Sequence, residues 1–226
     1  MTAPASPPRV ARDALRLYLV VGGLDETRLL RLVRDAVHAG VRCVQLREKE
    51  LSTREFVARA RQLRGLLREQ GVPLMINDRL DVALAAEADG VHVGQDDLAV
   101  ADLRRHMPQA IIGLSVGTLD ELDCGLRQDV DYLSPSPLFA TRNKADAGAP
   151  LGLDGLRAMR ARCTLPLVPI GGIDAGNAQS VFEAGADGIA VLGAIAHAAD
   201  PAAAAAALAA MASCRGEDSG MPAGRR

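Results

Sequence analysis

Short apolar runs alternate with amphipathic segments along most of the chain. The runs cover residues 15–21, 41–46, 73–76, 90–93, 110–114, 132–133, 167–170 and 188–192. Each is followed by a polar or glycine-rich turn and then by a stretch with apolar residues at helical spacing. Eight strand–helix units with near-continuous apolar strands predict a single-domain α/β fold, the (β/α)8 TIM barrel.

Capping signals support the helical segments. An Asp-Glu-Thr run from Asp25 opens the first helix, which ends at Gly40, and residues 52–55 form a capping box for the second. Asp200 and Pro201 suit the start of a last, alanine-rich helix. An open doubly wound sheet is the alternative, but it normally needs fewer strands, and no G-x-G-x-x-G follows the first strand.

Composition narrows the choice of partners. Aromatic residues make up 2% of the 226, and the formal net charge is −2. The chain therefore has neither the stacking side chains nor the basic surface expected of a nucleic-acid binder. It also lacks the net positive charge expected of a protein that binds an anionic membrane. The four cysteines form no C-x-x-C pair, and no signal peptide or long apolar run is present, which predicts reduced thiols in a cytoplasmic protein.

The two ends of the chain differ from the middle. Residues 1–13 and 214–226 are rich in Pro, Gly and polar residues, so both are expected to be disordered. Residues 14–213 form the predicted barrel domain. The sequence leaves open whether the chain forms a homo-oligomer.

Residues capable of chemistry follow the predicted strands, where a barrel of this kind places its active site. Asp78 and Asp97 end neighbouring strands, and two such carboxylates can share one Mg²⁺, with water and phosphate oxygens as the other ligands. The alternative is that Asp78 and Asp97 cap the third and fourth helices.

Cations follow the same strand ends. The chain has 24 Arg but only two Lys, and both lysines lie in these turns. Arg47, Lys49 and Lys144 together predict an anion trap strong enough for a diphosphate. The alternatives are that the lysine positions are a coincidence and that Arg47 pairs with a neighbouring carboxylate, Glu48 or Asp78.

Glycines end the last two predicted strands, in the run 171–173 and at Gly193. Exposed backbone N–H groups at these turns form the usual phosphate pocket of the barrel, although ordinary tight turns would use the same glycines. His92 is interpreted as a packed histidine rather than a base. No Ser-His-Asp or Cys-His set is apparent.

Several motifs in order resemble the thiamine-phosphate synthase family over about residues 15–200. They are QLREK at 45–49, INDR at 76–79, EADGVHVGQDDL at 87–98, IIGLS at 111–115, T-x-N-K at 141–144 and IGGI at 170–173. The resemblance implies condensation of 4-amino-2-methyl-5-hydroxymethylpyrimidine diphosphate with a thiazole phosphate, plain or carboxylated, by a dissociative, Mg²⁺-assisted mechanism that gives thiamine phosphate and diphosphate.

The resemblance also implies roles for individual residues. The pyrimidine diphosphate would be held by Gln45, Leu46, Arg47, Glu48, Lys49, Asn77, Ser115 and Lys144. Arg47, Lys49, Lys144 and Ser115 would be the catalytic members of that set. The thiazole phosphate would be held by Thr141, Arg142, Asn143, Gly172, Leu192 and Gly193. Asp78 and Asp97 would hold one Mg²⁺ per subunit.

The chain departs from the family pattern at Asn143, where Thr or Ser is usual, at Gly193, where Ser is common, and in the Ser-Pro-Ser-Pro run 134–137. These departures concern the thiazole site more than the reaction. A thiazole tautomerase on the same barrel is the nearest rival, but it is expected to use a His after the fifth strand, where Ser115 is followed by Val116 and Gly117.

Two other classes compete. A Schiff-base aldolase would need a lysine whose pKa burial lowers, whereas Lys49 and Lys144 lie in polar turns. A barrel that only binds a phosphorylated ligand, without catalysis, is the non-enzymatic alternative.

Overall fold

The computed structural model describes residues 9–141 and 148–213. Its strands are β1 Leu17–Val21, β2 Cys43–Leu46, β3 Leu74–Asn77, β4 Gly90–Val93, β5 Ile111–Val116, β6 Tyr132–Pro135 and β7 Ile189–Val191. Its helices are α1 Glu26–His38, α2 Thr53–Arg68, α3 Leu80–Ala86, α4 Val100–His106, α5 Leu119–Gly125, α6 Gly152–Arg162, α7 Ala178–Glu183, α8 Gly193–Ala196 and α9 Pro201–Ser213.

The strands form one parallel, TIM-like sheet of seven in the order β6-β5-β4-β3-β2-β1-β7. Each strand lies beside the next one in sequence, and the last strand returns to the first. A doubly wound sheet would instead reverse its strand order in the middle. The prediction of an α/β sheet with barrel-type order is therefore confirmed.

The run predicted as the seventh strand, residues 167–170, forms only isolated bridges, to Leu133 on one side and Ala190 on the other. Proline explains the interruption because it has no N–H to donate. Pro169 removes a donor on the side of β7, and Pro135 removes one on the side of β6. The hydroxyl of Ser134 donates instead to the Val168 carbonyl, at 2.8 Å.

Two apolar clusters hold the sheet. The larger one packs the outward strand faces against the helices and includes Leu19, Leu46 and Phe56. The smaller one fills the inner face, where Tyr18 and Tyr132 lie among Val20, Met75 and Val168. The sequence contains only two tyrosines, and both lie in this inner cluster.

The predicted caps of α1, α2 and α9 are confirmed. Asp25 accepts a hydrogen bond from the Arg28 N–H, and Ser52 and Glu55 form the reciprocal capping box. Asp200 accepts from the Ala203 N–H at 3.0 Å at the start of the alanine-rich helix.

Aspartates precede three strands at the amino end of the sheet, namely Asp89, Asp131 and Asp187. Each carboxylate accepts a hydrogen bond from a backbone N–H at the start of the neighbouring strand or bridge segment, at 2.8 Å in all three cases. Each also forms an ion pair with an arginine from a nearby helix: Arg64, Arg104 and Arg160, respectively.

Residues 9–13, expected to be disordered, pack against this end instead. The Arg9 backbone N–H donates to Asp131 at 2.6 Å, Val10 is buried, and Arg12 pairs with Asp187. These long-range ion pairs hold the segment in place, and composition alone does not reveal them. Within the described residues, no helix has the length and apolar character needed to cross a membrane.

Candidate active site

One cavity of about 550 Å³ opens at the carboxyl ends of the strands. All seven strands contribute residues to its lining. Predicted site residues that line it are Gln45, Arg47, Lys49, Asn77, Asp78, Asp97, Ser115, Thr141, Gly172, Leu192 and Gly193. The structure thus brings residues from distant parts of the chain to one cavity.

Two predicted residues have side chains directed elsewhere. Leu46 is fully buried in the cluster between sheet and helices. Glu48 pairs with Arg59 at 2.6 Å and accepts from the Gly23 N–H at 3.0 Å, so it ties two rim loops together. The assignment of these two side chains to substrate is corrected accordingly, because both are occupied by packing and pairing.

Arg142, Asn143 and Lys144 lie outside the described residues, so their predicted roles stay predictions. Thr141 precedes them on the cavity wall.

Asp78 and Asp97 face each other at the rim. Partial burial, together with hydrogen bonding and repulsion from Asp97, raises the pKa of Asp78 to about 6, and nearby Arg47 acts in the opposite direction. The alternative that these residues cap helices is wrong. The residue before α3 is Arg79 and the one before α4 is Ala99, and neither helix has a side-chain cap.

The backbone of Asp78 also has an unusual conformation, with φ at +61°. Residues other than glycine seldom adopt this left-handed region, and such residues are concentrated at functional sites. The Asp78 N–H donates to the His92 carbonyl at 2.9 Å, which fixes the turn against β4. Asp97 in turn accepts from the Gly94 N–H at 2.7 Å.

Arg47 and Lys49 supply positive charge to the same rim. Arg47 is placed by close packing: its carbonyl lies where a side chain on Gly22 would project, at 1.8 Å from the position of a Cβ atom. Glu48, the carboxylate between the two cations, is taken by Arg59. Within residues 9–141 and 148–213, neither Arg47 nor Lys49 forms an ion pair, so both charges are left to the cavity.

A glycine loop forms the opposite wall. Gly171 and Gly172 have φ values of +107° and +63°, and a Cβ on Gly172 would lie 2.7 Å from the Ala140 carbonyl. Asn177 secures the loop by donating to the Gly172 carbonyl at 2.8 Å and accepting from the Asp174 N–H at 3.0 Å. The loop can therefore present backbone N–H groups to an anion.

His92 is packed and hydrogen-bonded, as interpreted from the sequence. Its Nδ1 lies 2.8 Å from the Tyr132 hydroxyl and its Nε2 lies 2.9 Å from Ser115 Oγ. Sequence reasoning missed Tyr18 and Asp174, and it gave no role to Gln95 and Asp96 at the end of β4; all four line the cavity. The rarity of tyrosine in this chain was the one available signal for Tyr18.

A parallel barrel-type sheet with paired carboxylates, unpaired cations and a glycine loop around one cavity defines an enzyme for phosphorylated small molecules. The family model for thiamine monophosphate synthase matches residues 17–195. The chain therefore belongs to the thiamine monophosphate synthase family.

Individual relatives agree with this assignment. The chain is 52% identical to the thiamine-phosphate synthase of Albidiferax ferrireducens, over 85% of this chain and 89% of the relative. It is 50% identical to that of Chloroflexus aurantiacus, over 88% and 93%. Among solved structures, the thiamine phosphate pyrophosphorylase of Pyrococcus furiosus aligns with a TM-score of 0.83 and 36% identity, covering 89% of this chain and 96% of that one.

Proposed function

We propose that this protein joins 4-amino-2-methyl-5-hydroxymethylpyrimidine diphosphate to a thiazole phosphate and releases diphosphate. The family makes the chain a transferase of thiamine biosynthesis, as the motifs indicated. The observation that carries the proposal is a cavity whose two walls both suit anions. One wall has the carboxylate pair and the unpaired cations, and the other has the glycine loop.

The first wall suits the pyrimidine diphosphate. Arg47 and Lys49 would bind its diphosphate, with Lys144 added from the sequence motif. Gln45, Asn77 and Ser115 line the cavity below them and would hold the pyrimidine ring. Burial supports this orientation, because Gln45 is buried whereas Lys49 is exposed.

The carboxylate pair fits a magnesium ion. Arg47 only partly compensates two close carboxylates, because the pKa of Asp78 stays raised to about 6. Mg²⁺ prefers oxygen ligands and usually keeps several waters and substrate phosphate oxygens beside one or two carboxylates. Within the described residues, no cluster of three His, Cys, Asp or Glu side chains is present, which is compatible with a site that diphosphate completes. Asp78 and Asp97 would hold the ion.

The second wall suits the thiazole phosphate. The backbone N–H groups near Gly172 and Gly193, together with the Thr141 hydroxyl, would bind the phosphate. Arg142 and Asn143 are proposed members of this set from the sequence. The separation of the walls would place the thiazole between the loop and the reacting carbon.

In the reaction, the carbon–oxygen bond to diphosphate breaks first, and its electron pair leaves with the diphosphate. The ring amino group stabilises the pyrimidine-methyl cation, and the lone pair of the thiazole nitrogen then forms the new carbon–nitrogen bond. No proton leaves the nucleophile, so no general base is needed. Arg47 and Lys49 stabilise the departing charge. A bound Mg²⁺ would neutralise further charge on the diphosphate.

Holding both substrates in line contributes the rest. Orientation of two reactants in one cavity can lower a barrier by up to roughly 7–11 kcal/mol. The rigid Glu48–Arg59 pair and the Asn177 contacts keep the two walls in place for this purpose.

We also propose that the chain forms one closed eight-membered barrel. Residues 166–170 support closure, because Val168 N–H donates to the Leu133 carbonyl and Ala190 N–H donates to the Pro169 carbonyl, both at 2.9 Å. A cytoplasmic location is proposed from the free thiols of Cys43, Cys124 and Cys163.

The test is an assay with both substrates and Mg²⁺. Thiamine phosphate and diphosphate should form in equal amounts, EDTA should stop the reaction, and added Mg²⁺ should restore it. Failure of product formation with both substrates and excess Mg²⁺ would refute the function. The variant Asn143→Thr should change the KM for thiazole phosphate more than the KM for pyrimidine diphosphate, which tests the second wall.

A further inference from the structure

An unbroken series of hydrogen bonds, here called the tyrosine relay, crosses the interior beneath the cavity. Gln45 Nε2 donates to the Tyr18 hydroxyl at 2.8 Å, and that hydroxyl lies 3.1 Å from the Tyr132 hydroxyl. The series continues through His92 Nδ1 at 2.8 Å and from Nε2 to Ser115 Oγ at 2.9 Å. The relay thus joins two proposed pyrimidine-binding residues, Gln45 and Ser115.

The relay is built into the strands. Tyr132 lies opposite Gly113 in the register of β5 and β6, and His92 lies opposite Gly113 in the register of β4 and β5. A Cβ on Gly113 would approach Tyr132 Cζ to 2.1 Å, so only glycine leaves room for the ring. The His92 and Tyr132 rings stack at 5.6 Å, and Tyr18 meets Tyr132 edge-on at 6.0 Å.

Counting protons gives the relay a direction. Gln45 donates to the Tyr18 oxygen, so the Tyr18 hydroxyl can donate to the oxygen of Tyr132, and the Tyr132 hydroxyl to His92 Nδ1. His92 Nδ1 is then an acceptor, and its Nε2 carries the proton and donates to Ser115 Oγ. Burial raises the pKa of both tyrosines well above the usual range, so both hydroxyls keep their protons.

The ends of the relay face the cavity. Gln45 uses its amide nitrogen in the relay, so its carbonyl oxygen is left as an acceptor. Ser115 accepts from His92, so its own hydroxyl proton is left as a donor. Both residues line the cavity. An aminopyrimidine has a complementary edge, with an amino donor beside a ring nitrogen that accepts.

We propose that Tyr18, Tyr132 and His92 are positioning residues that fix an acceptor at Gln45 and a donor at Ser115, and so select the aminopyrimidine substrate. The inference rests on the proposed function, because it concerns recognition by the same site. Hydrogen-bonded series of this kind are cooperative, so the loss of one hydrogen bond should weaken the orientation of both Gln45 and Ser115.

The variant Tyr132→Phe removes one oxygen from the middle of the relay. We expect kcat/KM for pyrimidine diphosphate to fall about tenfold, the size of one lost hydrogen bond, while KM for thiazole phosphate stays within about twofold. His92→Leu should resemble Tyr132→Phe, whereas His92→Gln, which can still offer an N–H toward Ser115, should recover part of the loss.

Val168→Ala is the matched control. Val168 lies in the same inner cluster as both tyrosines but takes no side-chain part in the relay. Its truncation should lower the melting temperature without changing the ratio of the two KM values. Equal losses for both substrates in Tyr132→Phe and Val168→Ala would reduce the tyrosines to packing and overturn the proposal.

A second measurement does not depend on activity. Nitrogen-15 NMR of histidine-labelled protein reports which ring nitrogen carries a proton, and the other three histidines, His38, His106 and His197, are exposed. His92→Gln identifies the His92 signals by their loss. We expect that Nε2 carries the proton and that Nδ1 is unprotonated and accepts from Tyr132. A proton on Nδ1 would reverse the relay and refute the proposal, whereas absent synthase activity with the expected tautomer would refute the function alone.

Discussion

The carboxylates at the two ends of the sheet have opposite surroundings. At the amino end, Asp89, Asp131 and Asp187 each have an arginine partner and a backbone donor, and Asp131 is fully buried. At the carboxyl end, Asp78 and Asp97 lie beside each other. Removing one partner of a buried ion pair leaves an uncompensated charge and lowers stability, whereas like charges held together cost stability until a ligand supplies the opposite charge.

The difference separates stability from activity within one parallel sheet. Side chains at the amino end form ion pairs and hydrogen bonds with one another and with the segment before β1. Those at the carboxyl end leave hydrogen-bonding and charge capacity for substrates. Variants at the two ends should therefore change different measurements.

The largest effect is expected for Asp78→Asn. Loss of the proposed metal carboxylate should lower kcat by a factor on the order of 10³. The same change removes a half-buried charge and its repulsion from Asp97, so without Mg²⁺ the free energy of unfolding should rise by about 1–2 kcal/mol, after allowance for solvent screening. Steady-state kinetics and urea unfolding test both parts. A variant that is inactive and also less stable than the parent would contradict the assignment.

The converse is expected for Asp131→Asn at the amino end. Breaking its buried pair with Arg104 should lower the free energy of unfolding by about 3 kcal/mol, while KM and kcat of the folded protein remain near the parent values. Asp129→Asn is the control, because Asp129 contacts the same arginine at 3.2 Å but is 47% exposed. That change should cost less than about 1 kcal/mol. If Asp131→Asn loses activity at temperatures well below its melting temperature, the two ends of the sheet do not divide stability from activity as inferred.

A pH titration sharpens the comparison further. The raised pKa means that Asp78 takes up a proton as the pH falls through about 6, and a protonated carboxyl is a poor metal ligand. Mg²⁺ affinity should be constant well above that pH and fall up to about tenfold per pH unit below it. In the metal-free protein, the stability penalty from Asp78 is present above pH 6 and declines below it. Calorimetric Mg²⁺ titrations across this range provide the measurement. An Mg²⁺ affinity that does not change with pH would exclude Asp78 as a ligand.

The sequence predicts this division only in part. Periodicity and capping residues predict seven strands and the start of helices such as α1 and α2, because both signals are local. The seventh predicted run, residues 167–170, was correct in position but does not form a regular strand, since Pro135 and Pro169 interrupt the ladder on its two sides.

The site was predicted in the same uneven way. The family motifs correctly predict that Arg47, Lys49 and the two aspartates lie at one rim, but a motif does not show where each side chain points. Glu48 lies within a motif and faces Arg59. Tyr18 and Tyr132 are separated by 114 residues, and only the fold of the sheet brings their hydroxyls together.

Glu48 provides the last and smallest test, because it lies at the carboxyl end yet is paired like the aspartates at the amino end. If pairing rather than position decides the role, Glu48→Gln should lower the free energy of unfolding by about 1–2 kcal/mol and leave KM for pyrimidine diphosphate unchanged. Lys49→Gln, one residue away, should keep stability and lose activity by a factor on the order of 10². A raised KM in Glu48→Gln with unchanged stability would show that Glu48 binds substrate after all, and that position along the strand decides the role.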